Sequence, residues 1–223
     1  MEHLFDPDKP HFATWVWIHD IDYPFREIMF APRPSQPEGT PLYYATLCGF
    51  RDLVERLIIT CPRGINAGGG YHSTPLHAAV IKGNIDIVAL LLEHGADMAA
   101  WDRRNLTPLD EAAYRGRLDV IKLFLCHHAD VNFRNGIKRT PLFMASQEGE
   151  LAVARALLQH GAAADARDED GRTPLMLASQ NGHLDVVRLL LENGATVDSC
   201  KDDGWTSLDI WMSCVCCFRM AQL

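Results

Sequence analysis

The tripeptide Thr-Pro-Leu recurs along this chain at almost constant intervals. The first interval is 34 residues, the next three are 33, and a Thr-Ser-Leu variant follows after another 33. The threonines of the series are Thr40, Thr74, Thr107, Thr140, Thr173 and Thr206. A glycine nine residues after each of the first five threonines keeps the same period, and so does an alanine five residues after each. A fixed period of this length predicts stacked units that bury a common core between neighbours.

Each unit predicts two short helices joined by a turn. Threonine is a good N-cap, and proline fits the first helical position because its missing N–H is not needed there. The glycine can take the left-handed conformation that ends the first helix. A second apolar block, such as "VALLL" at 88–92 or "VRLLL" at 187–191, follows with its large residues at helical spacing. The repeat is therefore predicted to be a helix pair.

These residues resemble the ankyrin repeat, whose signature reads T-P-L-H-x-A. The segment "TPLHAA" at 74–79 matches the signature fully, and "DGRTPLMLASQNGHLDVVRLLLENGATVD" at 170–198 matches nearly all of the wider pattern. The resemblance implies an all-α solenoid of stacked ankyrin repeats, with short hairpin-like turns between the helix pairs.

The repeat array is predicted to lie between two atypical segments. Residues 11–25 hold two tryptophans and two phenylalanines, which is too apolar for a disordered tail, and they suit either a helix or a strand that caps the first repeat. The last segment ends before a second helix can form, so we interpret it as truncated. The predicted boundaries are 1–35 for the cap and linker, 36–70 for a divergent repeat, 71–103, 104–136, 137–169 and 170–202 for full repeats, and 203–223 for the truncated sixth repeat.

A second resemblance concerns the start of the chain. The sequence from "FATWVWIHDID" at 12–22 through "TPLYYATLCGF" at 40–50 is similar to the stretch that opens the ankyrin region of fungal NACHT-type signalling NTPases. This likeness implies that full-length relatives carry a nucleotide-binding domain upstream. The chain would then be the detached sensor or regulatory region of such a protein.

Composition narrows the classes of function. A net charge of −8 argues against general nucleic-acid binding, which needs basic surface. No apolar run approaches the roughly 20 residues of a membrane helix. The acidic, proline-containing N-terminus does not match a secretory signal, and the seven scattered cysteines suit a reducing compartment. We therefore expect a cytoplasmic protein, with the nucleus left open.

Catalytic and metal-binding interpretations find little support. His77 lies at a repeat position whose occupants share no chemistry, so a structural role is predicted for it; the other units place Tyr43, Asp110, Phe143, Met176 and Asp209 there. The run Cys126-His127-His128 lacks a second ligand pair at zinc-like spacing. We expect no enzyme activity, no cofactor and no metal.

A partner-binding surface is the leading expectation. In the ankyrin family the contact residues lie in the turn before each threonine and at the end of each first helix. Mapped onto this chain, they are Tyr71, Lys82, Arg103, Arg104, Leu106, Tyr114, Arg115, Ile137 and Arg139. Residues 103–139 hold eight Lys or Arg against four Asp or Glu, and Arg and Tyr are enriched at binding hot spots. The residues predict a monomer that binds a protein with an acidic, or mixed acidic and apolar, segment on one concave face; the alternative is a solvated basic face.

Overall fold

The computed structural model describes residues 39–69 and 72–197, and these ranges contain ten α-helices in five pairs. The predicted cap at 1–35, Tyr71 and the predicted sixth repeat at 203–223 lie outside the described residues. The pairs are α1 (Pro41–Leu47) with α2 (Arg51–Thr60), α3 (Pro75–Lys82) with α4 (Ile85–Glu93), α5 (Pro108–Tyr114) with α6 (Leu118–Cys126), α7 (Pro141–Glu148) with α8 (Leu151–Gln159), and α9 (Pro174–Gln180) with α10 (Leu184–Glu192).

The chain forms two compact units, residues 1–108 and 109–223. In the first unit, α1 packs on α3 and α2 packs on α4. In the second unit, α7 packs on α9, and α6, α8 and α10 pack in succession. First helices thus contact first helices and second helices contact second helices, which confirms the predicted all-α repeat fold. No residue of the described ranges lies in a β-strand.

The alanines of the period lie where the helices approach closely. Ala45, Ala79, Ala145 and Ala178 are all fully buried on the first helices. Because protein interiors are closely packed, a larger side chain at these buried positions would have to displace its neighbours. Larger apolar residues of the second helices fill the remaining space between the helix pairs.

The threonines start the first helices, although not all in the same way. Thr40, Thr74 and Thr173 accept a hydrogen bond from the backbone N–H three residues later, at 3.2, 3.3 and 3.3 Å. Thr140 has the same extended backbone, but its side chain makes no capping bond, and its buried Oγ1 has no partner. The predicted cap is therefore confirmed at three positions and wrong at Thr140.

This difference gives a matched pair of substitutions. Thr173→Val removes a hydroxyl that satisfies a helix N–H, so the free energy of unfolding should fall by about 1 kcal/mol. Thr140→Val removes a buried hydroxyl that has no hydrogen-bond partner, so stability should stay the same or rise. Urea denaturation followed by circular dichroism measures both. Equal losses in the two variants would contradict a capping role for Thr173 that Thr140 lacks.

Candidate functional site

His77 joins the first helix of its repeat to the turn of the next. The side chain is fully buried, with Nδ1 2.8 Å from Thr74 Oγ1 and Nε2 3.1 Å from the carbonyl oxygen of Leu106. Because a carbonyl only accepts, Nε2–H is the donor to Leu106. Both ring nitrogens are therefore engaged in hydrogen bonds within the repeat stack, in agreement with the structural role predicted for His77.

Three equivalent turns precede the threonines of the third, fourth and fifth repeats. We call residues 102–106, 135–139 and 168–172 the third, fourth and fifth turns. Each closes with a backbone bond from its first N–H to its last carbonyl, of 2.8, 3.0 and 3.0 Å. In each, Oδ1 of the first residue accepts the N–H groups two and four residues later, at 2.8–3.1 Å; these first residues are Asp102, Asn135 and Asp168. The turns are thus held by their own side chains.

The sequence interpretation missed this role of Asp and Asn. A readable signal existed, because Asp102, Asn135 and Asp168 recur every 33 residues, five positions before the threonine. Such residues fix a turn by accepting local backbone N–H groups. A braced turn holds its neighbouring side chains in defined positions, which matters for any contact surface built on them.

Two of the predicted contact residues in the third turn are exposed, and a residue that the prediction missed lies directly before this turn. Arg103 is exposed, and half of the Arg104 side chain is exposed while its Nε–H binds Asp102 Oδ2 at 3.2 Å. Trp101, just before the turn, is 51% exposed. A tryptophan directly before the polar run Asp-Arg-Arg-Asn at 102–105 was the signal for it. We call Trp101, Arg103 and Arg104 the Trp-Arg surface.

Leu106 does not belong to any exposed surface. Its side chain is only 5% exposed, and its carbonyl oxygen accepts the bond from His77. The prediction that Leu106 contacts a partner is therefore corrected: the residue packs in the core at the end of the third turn. Lys82, the predicted contact at the end of α3, is exposed and lies in the same unit.

The predicted contact residues of the second unit are more constrained. Arg115 Nε lies 2.5 Å from Oε1 of the fully buried Glu111, with 37% of the Arg115 side chain exposed. Tyr114 and Ile137 are half-buried. The buried carboxylate of α5 thus fixes the arginine that follows this helix and leaves part of it at the surface.

Arg139 connects the fourth turn to the fifth turn. Its Nε–H donates to Asp168 Oδ2 at 3.3 Å, its guanidinium lies 4.9 Å from the centre of the Phe143 ring, and its side chain is only 19% exposed. Asp168 also accepts two bonds from the Arg172 guanidinium, at 3.0 and 2.8 Å. The expectation that Arg139 lines the groove as a contact residue is therefore revised, because its guanidinium serves an ion-pair network between two repeats.

Asp168 is an ionised carboxylate inside this network. Burial raises the pKa of Asp168, but the side-chain and backbone hydrogen bonds of Arg172, the charge of Arg172 and the N–H of Asp170 together lower it by more. The net pKa lies below its ordinary value of 3.8. The network is consequently charged at neutral pH, and it depends on that charge.

Neither a cluster of metal-binding side chains nor a membrane-spanning helix is found in the part of the chain that the structure describes. No group of three or more His, Cys, Asp or Glu side chains there has an arrangement that could hold a metal ion. Within the same residues, no helix has the length and apolar character needed to cross a membrane.

The comparisons with known proteins fit this architecture. A family model described as "Ankyrin repeats (3 copies)" matches residues 42–135 and 109–201. The chain belongs to the ankyrin-repeat family. Ankyrin repeats are generally protein-interaction modules, so the exposed residues of the turns and first helices are the natural place to look for contacts.

Two curated relatives extend over only part of this ankyrin-repeat protein. The azaphilone pigments biosynthesis cluster protein L of Monascus ruber is 32% identical over 109 residues, which is 44% of this chain and 22% of the relative. Alpha-latrocrustotoxin-Lt1a of Latrodectus tredecimguttatus is 36% identical over 66 residues, 30% of this chain and 5% of the relative. The ankyrin-repeat chain thus spans a small part of each relative's length.

Proposed function

We propose that this ankyrin-repeat protein binds a partner protein through the Trp-Arg surface, with Lys82 of the same unit as a further contact. The observation that carries the proposal is the exposure of Trp101, Arg103 and Arg104 around a turn braced by Asp102. Tryptophan and arginine are enriched among the residues that dominate binding energy. A braced turn also loses little conformational freedom on binding, which favours affinity.

The chemistry of the Trp-Arg surface fits an acidic partner segment that carries an apolar side chain. Guanidinium groups bind carboxylates with charge-assisted hydrogen bonds, and Arg104 is already oriented by its bond to Asp102. The indole of Trp101 offers a flat apolar face beside these cations. Residues 103–139 carry a local excess of basic residues in a chain of net charge −8, which supports an acidic rather than a basic partner.

The second unit contributes a smaller set of proposed contacts. Tyr114, Arg115 and Ile137 each expose part of their side chains. Arg139 follows Ile137 in the fourth turn, and its guanidinium is engaged by Asp168. We assign the larger share of binding energy to the first unit, where Trp101 is the most exposed aromatic residue of the proposed set.

Charge reversal and truncation test the proposal on a partner isolated by affinity capture with the full chain. Trp101→Ala should weaken its binding about 30-fold, and Arg103→Glu combined with Arg104→Glu at least as much, because hot-spot residues are worth about 2 kcal/mol. The matched control reverses Arg155 and Arg188, exposed on α8 and α10, and should change affinity less than about threefold. Biolayer interferometry at two salt concentrations measures all variants. Trp-Arg surface variants that behave like the control would overturn the proposal.

The proposed binding role includes no catalysis and places a monomeric protein in the cytoplasm. Ankyrin-repeat proteins are usually non-catalytic scaffolds, and both ring nitrogens of His77 are engaged in structural bonds. Hydrolysis of nucleotides or esters by the purified chain would contradict the first part. Light scattering and cell fractionation test the other two.

A second candidate function is the detached sensor or regulatory region of a fungal NACHT-type signalling NTPase. It is favoured by the similarity of residues 12–50 to the start of the ankyrin region in those proteins, and one of the relatives is fungal. The genomic sequence upstream decides it: a P-loop in the same reading frame would support the idea. An intact upstream start region without a P-loop would remove it.

A further inference from the structure

An apolar hollow lies on the surface of α2. Its volume is about 470 Å³, and the described residues that line it are Leu53, Arg56, Leu57, Ile59 and Thr60, of which three are aliphatic. Ile59 is 69% exposed, the most exposed large apolar side chain among the described residues. Such a concentration of exposed aliphatic surface on one short helix needs an explanation.

Two positions that are partly exposed in α2 are buried in the second helices of later repeats. The positions 13 and 17 residues after the threonine are almost fully buried in later second helices: Ile87 and Leu91 at 2% and 0% exposed in α4, Val153 and Leu157 both at 0% in α8, and Val186 and Leu190 at 1% and 0% in α10. The second helix of the preceding repeat packs on each of these helices, α2 on α4, α6 on α8 and α8 on α10.

In α2 the same two positions are Leu53 and Leu57, and both are partly exposed. No described helix precedes this repeat, so nothing in the described residues takes the place that α2 itself takes on α4. The hollow is therefore the site of a missing second-helix neighbour. Its occupant should be apolar, and it should tolerate the cation of Arg56.

Residues 11–25 meet both requirements. They contain Phe12, Trp15 and Trp17, and they also carry Asp20 and Asp22, opposite in charge to Arg56. Burial of one large aromatic or aliphatic side chain stabilises by roughly 1.5–3 kcal/mol, so an apolar hollow favours a segment of this composition.

The connection between residues 11–25 and α1 is long enough for these residues to reach the surface of α2. Thirteen residues, 26–38, separate it from Gly39, and they span up to about 43 Å when extended. The whole of α2 is only about 15 Å long, because an α-helix rises 1.5 Å per residue. Attachment to the same chain also gives the segment an effective concentration in the millimolar range, which a separate partner would have to exceed.

We propose that residues 11–25 dock in the α2 hollow and replace the second helix of a preceding repeat. The proposal is independent of the Trp-Arg surface, since it concerns the opposite end of the first unit's sequence. It assigns the exposed face of α2 to this chain rather than to a second copy or a foreign protein.

Photo-crosslinking in the full chain tests the contact directly. Ile59 is replaced by p-benzoylphenylalanine, and mass spectrometry locates the crosslinked peptide after irradiation. Crosslinks within one chain to residues 11–25 are expected. The matched control places the same photoreactive residue at Gln159, the exposed equivalent position of α8, and should give no product with 11–25. Crosslinks between two copies, to another part of the chain, or no crosslink from Ile59 would each overturn the proposal.

Hydrogen exchange provides a second readout that does not depend on the photoreactive group. Trp15→Ala combined with Trp17→Ala should accelerate amide exchange in residues 51–60 by about tenfold, because docking of the aromatic side chains would protect α2. Exchange in residues 151–159 should stay unchanged. Equal exchange of residues 51–60 in the wild type and the double variant would contradict docking.

Discussion

Asp168→Ala is expected to lower the free energy of unfolding by about 3–5 kcal/mol, the range seen when one partner of a buried ion pair is removed. Only 2% of the Asp168 side chain is exposed, and it accepts bonds from Arg139 and Arg172 and from two backbone N–H groups of the fifth turn. Alanine leaves both guanidinium groups without this carboxylate. Urea denaturation measures the loss, and a change below 1 kcal/mol would contradict the network.

Asp168→Asn separates the turn from the charge. Asparagine holds the equivalent position in the fourth turn, where Asn135 Oδ1 accepts the same two backbone N–H groups. The substitution should therefore preserve the fifth turn and lose only the charge-assisted bonds, at a cost of about 2 kcal/mol. An asparagine variant as unstable as the alanine variant would show that the ion pair, and not the turn, accounts for the whole loss. An asparagine variant as stable as the wild type would contradict the contribution of the ion pair.

The pH dependence follows from the lowered pKa of Asp168. The folded protein holds the carboxylate ionised below its ordinary pKa of 3.8, so the unfolded chain binds the proton first as the pH falls. The stabilisation is complete above about pH 5 and is lost as the pH falls through 3.8 and then through the lower pKa of the folded state. The stability difference between wild type and Asp168→Asn should therefore shrink in this acidic range. A difference that stays constant down to pH 3 or so would contradict the sign of the shift.

The repeat period predicted the helices because each boundary depends on local chemistry. Pro41, Pro75, Pro108, Pro141 and Pro174 each begin a first helix in the structure. Gly83 and Gly149 end their helices in the left-handed conformation, with φ of 74° and 77°. The start and the end of each first helix depend only on residues that are adjacent in sequence, so both can be predicted from the sequence.

The role of Arg139 could not be predicted in the same way. Its partner Asp168 lies 29 residues later, and only the stacking of the fourth and fifth turns brings the two side chains within 3.3 Å. Sequence position placed Arg139 among exposed turn residues, whereas packing made it part of a network. Leu106 shows the same limit. The residue directly before the threonine is buried in the third repeat, where it is Leu106, but half-exposed in the fifth repeat, where it is Arg172.

Thr140 marks a limit of a different kind. Its backbone matches that of Thr173 within a few degrees, yet only Thr173 caps its helix. The two threonines therefore differ in their side-chain hydrogen bond and not in their backbone, and the motif Thr-Pro-Leu is identical in both repeats. The motif therefore predicts the start of a helix more securely than the hydrogen bond that stabilises it.

Gly149→Ala is the second substitution with a large expected effect. Gly149 has a φ of +77°, which costs a residue with a Cβ about 1–2 kcal/mol. An added Cβ would also lie 2.7 Å from two carbons of the His183 ring, closer than packed atoms allow. Displacement of His183 would break the bond that its Nε2 makes with the carbonyl oxygen of Gln147 at 3.0 Å. The displacement of His183 should cost about 1–3 kcal/mol more, so the free energy of unfolding should fall by about 3 kcal/mol in total.

Gly182→Ala is the matched control for this prediction. Gly182 occupies the same position one repeat later with a φ of +76°, and no heavy atom of the described residues lies within 4 Å of an added Cβ there. Its substitution should cost only the conformational part, about 1–2 kcal/mol. The second comparison combines Gly149→Ala with His183→Ala, which removes the ring that the new methyl group would meet. Because the two sites are in contact, the double variant should lose less stability than the sum of the single variants. Additive losses would show that close packing between the repeats does not require a glycine at position 149.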